Sequence, residues 1–594
     1  MILQALYDYY QRKKDSLPDE GFELREIKFI IVIDKEGNFK DLVDTRENKK
    51  GRKYYLPKAI GRSGSKSWQT TFLLWDHYGY VLAHPKDPTE KAIEMAKKQN
   101  NIFIQNINDL PEYVKNDEGV NAVKLFYDKN QMGKVKQHPN WTDCEKIAGC
   151  NLTFQLDGDE RLIPERKVVK EYQQSLLSSG EATDDEYEKF IAPCIITGES
   201  GVIARLHNTT PILGSQSTAK IVSFQRNSGF DSYGKEQAYN APVSLSAEAA
   251  YSTALNHLLK SPKNRVLIGD TTIVFWADKP PKIIDMEDIF PWVISARVQE
   301  NDDPDKGVKV IETLYKSVRT GKLPLEEQNR FYVLGLSPNV ARISVRLWKM
   351  GTVKEFGEKI IQHFDDLKII RSSYEPEHLS LNRILTSIVF QYKMENVPPN
   401  LSGSVIESIL DGKPYPVTLL QQCIRRIRAE SAKKDNNGRP VQNVTRTRAA
   451  ILKAYINRYL RFYNLKEKEI TMALDPTNNN PGYRLGRLFA VLEKIQENAN
   501  PGINATIKDR YYGAASSSPV SVFSQLLKLK NHHLAKLKKG EKIYFEKLVG
   551  DIMDGISEFP SHLTMNDQAY FSIGYYHQRQ EFYKKKEESV ENEN

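Results

Sequence analysis

The sequence predicts an α+β chain: a mixed α/β N-terminal region, then a mostly helical region, then a C-terminal helical bundle. Three observations predict it. Short runs rich in β-branched and aromatic residues, bounded by turn residues, crowd the chain up to about residue 280. Beyond that, apolar residues recur at helical spacing. From Arg446 onward the stripes become long, and Pro/Gly/Ser loops separate them. The regions are drawn at 1–285, 286–470 and 472–594, in keeping with three to five domains at about 150 residues each.

Residues 1–17 read as a short helix, with Leu3, Leu6, Tyr7 and Tyr10 on one face and Pro18 and Gly21 stopping it. REIKFIIVIDKEGNFKDLVDT reads as a hairpin turning at Glu-Gly-Asn. TTFLLWD, YGYVLA, NLTFQLDG, PCIITGE, AKIVSFQ and TTIVFWAD read as further strands, with helices at Thr89–Asn100 and Glu160–Leu176 between them. VARISVRLWKM, FGEKIIQHFDDLKII, LNRILTSIVFQY, SVIESILDG and TLLQQCIRRIRAE read as helical, and FYVLGLSPN as a short β-like piece among them. TRTRAAILKAYINRYLRFY places Ala449, Ile451, Leu452, Tyr455, Ile456, Tyr459 and Leu460 on a broad apolar stripe. Four or five helices after the turn-rich ALDPTNNNPGY form a bundle.

The 594 residues carry a formal net charge of +9, which matters only where it is clustered. Four cysteines, Cys144, Cys150, Cys194 and Cys423, are too few and scattered for a disulfide framework, so a reducing, cytoplasmic setting is expected. No metal or other cofactor is expected. The amphipathic start has no apolar signal-peptide core, and no apolar run approaches the roughly 20 residues of a membrane span, so no membrane partner is expected.

Catalytic motifs are missing. GRSGSKS lacks the Gly-Lys-Ser/Thr ending of a phosphate loop, and there is no zinc helix or nucleophile elbow. Basic clusters are present instead. One runs from Arg52 to Lys66 through Lys53, Lys58, Arg62, Ser63 and Gly64, and a solvated loop is its plainest reading. A second, Ile203–Asn240, interleaves Gln, Asn, Ser, Lys and Arg with Phe224, Phe230, Tyr233 and Tyr239, types that read base edges, hold phosphates and stack. A third holds Arg425, Arg426, Arg428, Lys433, Lys434, Arg439, Arg446, Arg448, Lys453 and Arg458 against few acids. A fourth gathers Lys528, Lys530, Lys536, Lys538 and Lys539 around His532 and His533.

GSQSTAKIVSFQRNSGFDSYGKEQAYNAPVS, then YSTALNHLL and IGDTTIVFWAD, resembles the Csd family, the large subunit of type I-C CRISPR surveillance complexes. FYVLGLSPNVARISVRLW, YRLGRLFAVLEKIQ, IKDRYYGAASSSPVSVF and FSIGYYHQRQEFY are similar to the same family, in order, from about residue 50 to about 583. The resemblance implies a non-catalytic subunit of a Cascade complex that reads the protospacer-adjacent motif in duplex DNA, helps open it, guides the displaced strand and helps recruit the helicase-nuclease. Guide pairing supplies the sequence specificity. Its partners would be CRISPR RNA, target double-stranded DNA, the backbone and foot subunits, a separately translated small subunit and the helicase-nuclease effector.

On that footing Gln216, Ser217, Lys220, Asn227, Lys235, Gln237 and Asn240, with Arg205 just before them, are expected at bases and phosphates. Phe224 or Tyr233 would be a wedge. Arg52, Lys53, Arg62, Ser63, Gly64 and Lys66 would hold the duplex backbone, and Arg425, Arg426, Arg428, Arg446, Arg448, Lys528, Lys530 and Lys536 would track a strand. The resemblance further implies that the bundle is also made from an internal start. Met472 follows Lys466-Glu467-Lys468-Glu469, whose codons are all purine, at a spacing that suits bacterial initiation. Two alternatives remain: a CRISPR RNA-processing endoribonuclease built on His207, Tyr233 and Lys235, and a purely structural assembly subunit.

Overall fold

The computed structural model describes residues 1–59, 62, 66–179, 189–225, 229, 231, 233–281, 285–295, 306–319, 329–340, 342–372 and 374–583. The chain divides into two compact units: residues 1–211 with 217–257, and residues 212–216 with 258–594. The second unit therefore takes in both the middle region and the C-terminal bundle, and it begins at 258 rather than near 285.

The first unit is built on a four-stranded sheet of order β3-β2-β6-β5, made of β2 (Phe29–Ile33), β3 (Phe39–Asp44), β5 (Trp75–His77) and β6 (Asn151–Leu156). β2 pairs parallel with β6, and all five of its residues, FIIVI, are buried, the pattern of a strand covered on both faces. The expected hairpin is β2–β3. The Asp34 carboxylate accepts the Asn38 N–H at 2.8 Å, and Gly37 turns at φ +78°, where a Cβ would lie 2.5 Å from the Phe126 backbone nitrogen. β1 (Phe22–Ile27) and β4 (Arg52–Pro57) form a separate antiparallel ribbon, and β7 (Ile191–Pro193) pairs with β8 (Ser200–Val202). The helices are α1 (Ile2–Arg12), α2 (Tyr78–Leu82), α3 (Glu90–Asn108), α4 (Glu112–Lys115), α5 (Glu118–Asp128), α6 (Met132–Lys136), α7 (Trp141–Glu145), α8 (Lys167–Ser179) and α9 (Leu245–Lys260). Phe103, Val123 and Phe126 from α3 and α5 close the core over Phe29, Ile31 and Phe154.

Several strand expectations fail here. YGYVLA is helix α2: the His77 ring accepts the Gly79 N–H at 3.1 Å as an N-cap, and with all five helical residues buried no period distinguished it from a strand. Of TTFLLWD only Trp75 and Asp76 are extended, in β5. PCIITGE turns after Pro193, with Gly198 N–H donating to Cys194 O at 2.8 Å, and AKIVSFQ forms no strand.

The second unit opens on an antiparallel sheet of order β12-β11-β10-β9: β9 (Arg265–Ile268), β10 (Thr271–Ala277), β11 (Arg330–Asn339) and β12 (Arg342–Thr352). Helices α10 (Met286–Ser295) and α11 (Lys306–Arg319) lie between β10 and β11, and after β12 come α12 (Val353–Leu367), α13 (Leu381–Ser387), α14 (Leu401–Asp411), α15 (Val417–Ala429) and α16 (Arg446–Phe462). The bundle has five: α17 (Pro481–Ala499), α18 (Ile507–Ala515), α19 (Phe523–Leu534), α20 (Lys539–Met553) and α21 (Met565–Glu581). VARISVRLWKM, expected to be helical, is β12. Gly335 opposes Leu347 while Leu336 opposes Val345, so Arg346 is bulged out of the ladder. The bulge sends Ile343 and Leu347 to opposite faces, where both are buried, and their four-residue spacing mimics a helical stripe.

One apolar core runs from Val266 through the bundle to Tyr576. α17 and α21 cross almost backbone to backbone: a Cβ on Gly486 would lie 1.9 Å from Phe571 O, and one on Gly574 would lie 2.1 Å from Tyr483 O. The other side of α21 meets α16, and Tyr576 hydroxyl donates to Ile370 O at 2.8 Å.

Candidate nucleic-acid interface

In the first unit the β1–β4 ribbon carries cations at its end. Asn48 and Lys49 adopt positive φ (51° and 70°), and the Glu26 carboxylate accepts the Gly51 N–H at 2.9 Å, which fixes the register Ile27 to Arg52 and Glu26 to Lys53. Lys49, Lys50, Arg52 and Lys53 are all exposed. Among the described residues Lys49, Lys50 and Lys53 form no ion pair. A twisted two-stranded ribbon is narrow enough for the major groove, and such cations position it on phosphates. Lys49 and Lys50 escaped the sequence reading, although the run Lys49-Lys50-Gly51-Arg52-Lys53 was its signal.

Arg62 does other work than expected. Its guanidinium pairs with the buried carboxylate of Asp76, donates Nε–H to Thr70 O at 2.8 Å, and lies 4.0 and 4.1 Å from the ring centroids of Phe72 and Tyr80. A guanidinium so engaged anchors the loop instead of holding a duplex. Lys66 is exposed; Ser63 and Gly64 lie outside the described residues.

The segment Ile203–Asn240 is largely irregular and held by its own side chains. Arg205 donates to the Gln237 side-chain oxygen, and Gln237 N–H donates to Asp231 at 3.2 Å. The Asn240 amide donates to Lys235 O at 2.9 Å and Gln237 O at 3.0 Å. Arg205, Gln237 and Asn240 thus bind within the loop and shape it. Lys235 Nζ lies 5.8 Å from the Phe190 ring centroid. Gln216 and Ser217 are exposed, Phe224 and Lys220 are half-buried, and Asn227 lies outside the described residues. Tyr233 is fully exposed, at φ +53° beside Gly234 at φ +72°.

Beneath the loop sits a buried polar cluster. Glu248 accepts the Asn208 N–H and side-chain amide, both at 2.7 Å, and Lys58 Nζ bonds the Asn208 side-chain oxygen. Burial pushes the Glu248 carboxyl above its usual range against the pull of Lys58, Asn208 and Lys220. Burial lowers Lys220, with Glu248 opposing. His207 bonds the Tyr251 hydroxyl, and burial lowers its pKa to about 4. His207 is sealed in the interior, whereas Tyr233 is fully solvated.

In the second unit the arginine-rich stretch splits. Arg425 and Arg428 on α15 are exposed. Arg426 turns to the buried Glu430 at 3.1 Å. Arg446 and Arg448 are buried, which overturns their strand-tracking role. Arg446 donates to Pro376 O at 2.5 Å and Glu377 O at 2.9 Å. Arg448 donates to Ser387 O and Asn443 O, both at 2.8 Å, and pairs with Glu430 at 2.5 Å. Burial works to raise the Glu430 carboxyl, but Arg448, Lys433 and Arg426 hold it below its ordinary range. Arg458 pairs with Asp366 at 3.0 Å in the same interior. On α19 Lys528 is exposed and Lys530 half-buried, while Lys536 just beyond it is exposed and donates to the Asn500 side-chain oxygen at 3.0 Å.

Among the described residues no group of His, Cys, Asp and Glu is placed to hold a metal, and no helix is long and apolar enough to cross a membrane. All four cysteines are free and buried.

The fold and these surfaces define an α+β protein with a sheet-based first unit, a helical second unit and discrete cationic patches on both. Residues 6–583 match the family model described as CRISPR-associated protein (Cas_Csd1). The chain belongs to that CRISPR-associated family, as the sequence blocks implied, and membership fits a subunit of a Cascade complex. No curated protein matches the chain.

Proposed function

We propose that the chain is the non-catalytic, DNA-recognising large subunit of a type I-C CRISPR RNA-guided complex. It engages duplex at the protospacer-adjacent motif, promotes opening and helps recruit the helicase-nuclease. The observation that carries this reading is the exposed cation group Lys49, Lys50 and Lys53 at the end of a β-ribbon, in no ion pair among the described residues, in a chain whose family is CRISPR-associated. Tyr233, fully solvated at a loop tip, suits a wedge between base steps better than half-buried Phe224. Gln216 and Ser217 remain the exposed polar candidates for base edges.

The test is reconstitution of the complex with and without this chain, read by binding to matching duplex. Loss of binding without the chain is expected; equal binding overturns the reading. A second product from Met472 is part of the same proposal. Met472 is exposed in the link between α16 and α17. Changing its codon removes the short polypeptide if translation starts there, and persistence of that polypeptide refutes the start.

A further inference from the structure

We propose that the cleft between α15 and the start of α21 takes one unstacked nucleotide of a single strand, with a base that carries an exocyclic amino group. This rests on the nucleic-acid reading above and names the ligand of one part of it. The cleft, about 260 Å³, is lined by Gln421, Ile424, Arg425, Arg428, Met565 and Gln568. Gln421, Arg425 and Arg428 fall at i, i+4 and i+7 of α15, on one face. Both arginines are exposed and in no ion pair among the described residues, whereas their neighbour Arg426 is committed to Glu430.

Gln568 identifies the ligand. It is 6% exposed; its amide nitrogen donates to Leu563 O at 3.0 Å, and its Oε1 has no hydrogen-bond partner. A buried acceptor without a partner carries an uncompensated desolvation penalty, so a ligand that supplies a donor recovers it. A sulfate or a bare phosphodiester supplies none. The first turn of α21 is also unsuited to an anion, because Asp567 stands there, accepting from the Thr564 hydroxyl at 2.6 Å. A nucleotide meets each feature. Its phosphates suit Arg425 and Arg428, its flat base suits the apolar walls of Ile424 and Met565, and an amino group of adenine, cytosine or guanine donates to Gln568 Oε1. Thymine and uracil present a carbonyl where the amino group of cytosine or adenine would be, and their one Watson–Crick-edge donor, N3–H, is set back between two carbonyls.

The experiment uses the full chain and short oligonucleotides of dA, dC, dT and rA, read by fluorescence anisotropy, with an 8-azidoadenine oligonucleotide for crosslinking. Expected are dA and dC binding about three- to ten-fold tighter than dT, the value of one hydrogen bond. Crosslinks are expected in 417–429 and 563–568. Gln568→Met levels the bases. Arg425→Ala, at an exposed position, weakens every oligonucleotide, lowers the salt slope by about 0.7 and removes the crosslink even if Gln568→Met does not fold. Tighter rA names a guide-type RNA as the source, tighter dA a DNA strand. Equal binding of dT, or crosslinks elsewhere with Arg425→Ala inert, overturns the pocket while oligonucleotide binding stands. No binding of any oligonucleotide at low salt overturns the single-strand reading as well.

Discussion

α15 and α16 are neighbouring helices with arginine-rich sequences and opposite fates. On α15, Arg425 and Arg428 reach solvent beside a cleft. On α16, Arg446, Arg448 and Arg458 are buried, each donating to backbone carbonyls, and the last two also pair with a carboxylate. Cationic density alone does not make a polyanion surface. α16 is the central strut of its unit, and its guanidiniums pin the ends of surrounding segments, a use to which a planar five-donor group is suited. On the proposed function, phosphate binding would fall to those cations that the fold leaves without such partners.

That contrast can be broken most sharply by Arg448→Ala. It leaves Glu430 buried with one strong partner fewer, so a loss of about 3–5 kcal/mol is expected in chemical denaturation. Arg425→Ala, on the exposed face, should stay within about 0.5 kcal/mol. Equal effects would end the distinction. A smaller loss, about 1–3 kcal/mol, is expected for Gly486→Ala, because the added methyl meets Phe571 O and must push apart the helices against which α16 packs. An unchanged denaturation midpoint would show that the α17–α21 approach is looser than described.

The smallest effect concerns two histidines that face the buried cations. His363 bonds Tyr415 near Arg458, and His577 bonds Tyr483 near Lys453; burial, with those charges, lowers both to about 3. Their folded pKa values lie below the unfolded value of about 6.5, so the unfolded chain takes up protons first as pH falls. The stability they contribute is whole above pH 6.5 and is lost progressively as pH falls toward 3. His577→Gln should flatten the dependence between pH 6 and pH 4 by at most about 1.4 kcal/mol per pH unit. An unchanged slope would mean that His577 is not held neutral by its surroundings.

Much of the fold was legible in residue patterns. FIIVI, TTIVFWA and NLTFQL are strands because their runs are short, β-rich and bounded by turns, and the bundle's long stripes became its helices. What failed did so for nonlocal reasons. A bulge at Arg346 disguised β12, and complete burial erased the period of α2. Arg52 and Lys53, expected in a basic loop, lie exposed on strand β4. The internal pairing of Arg446, Arg448 and Arg62 was not readable, because their partners are carbonyls and acids of other segments, such as Pro376, Ser387 and Asp76. Nor could spacing show that the Gln237 and Asn240 amides close their own loop.

The central claim is that the free cations of this chain, and not its buried arginines, meet the polyanion. The most direct test is the salt dependence of duplex binding by the reconstituted complex, with Lys49, Lys50 and Lys53 all changed to alanine. Every phosphate that a lysine neutralises adds about 0.9 to the steepness of log K against log salt, so the triple variant is predicted to be shallower by about 2–3. A slope identical to that of the unaltered complex would contradict the account.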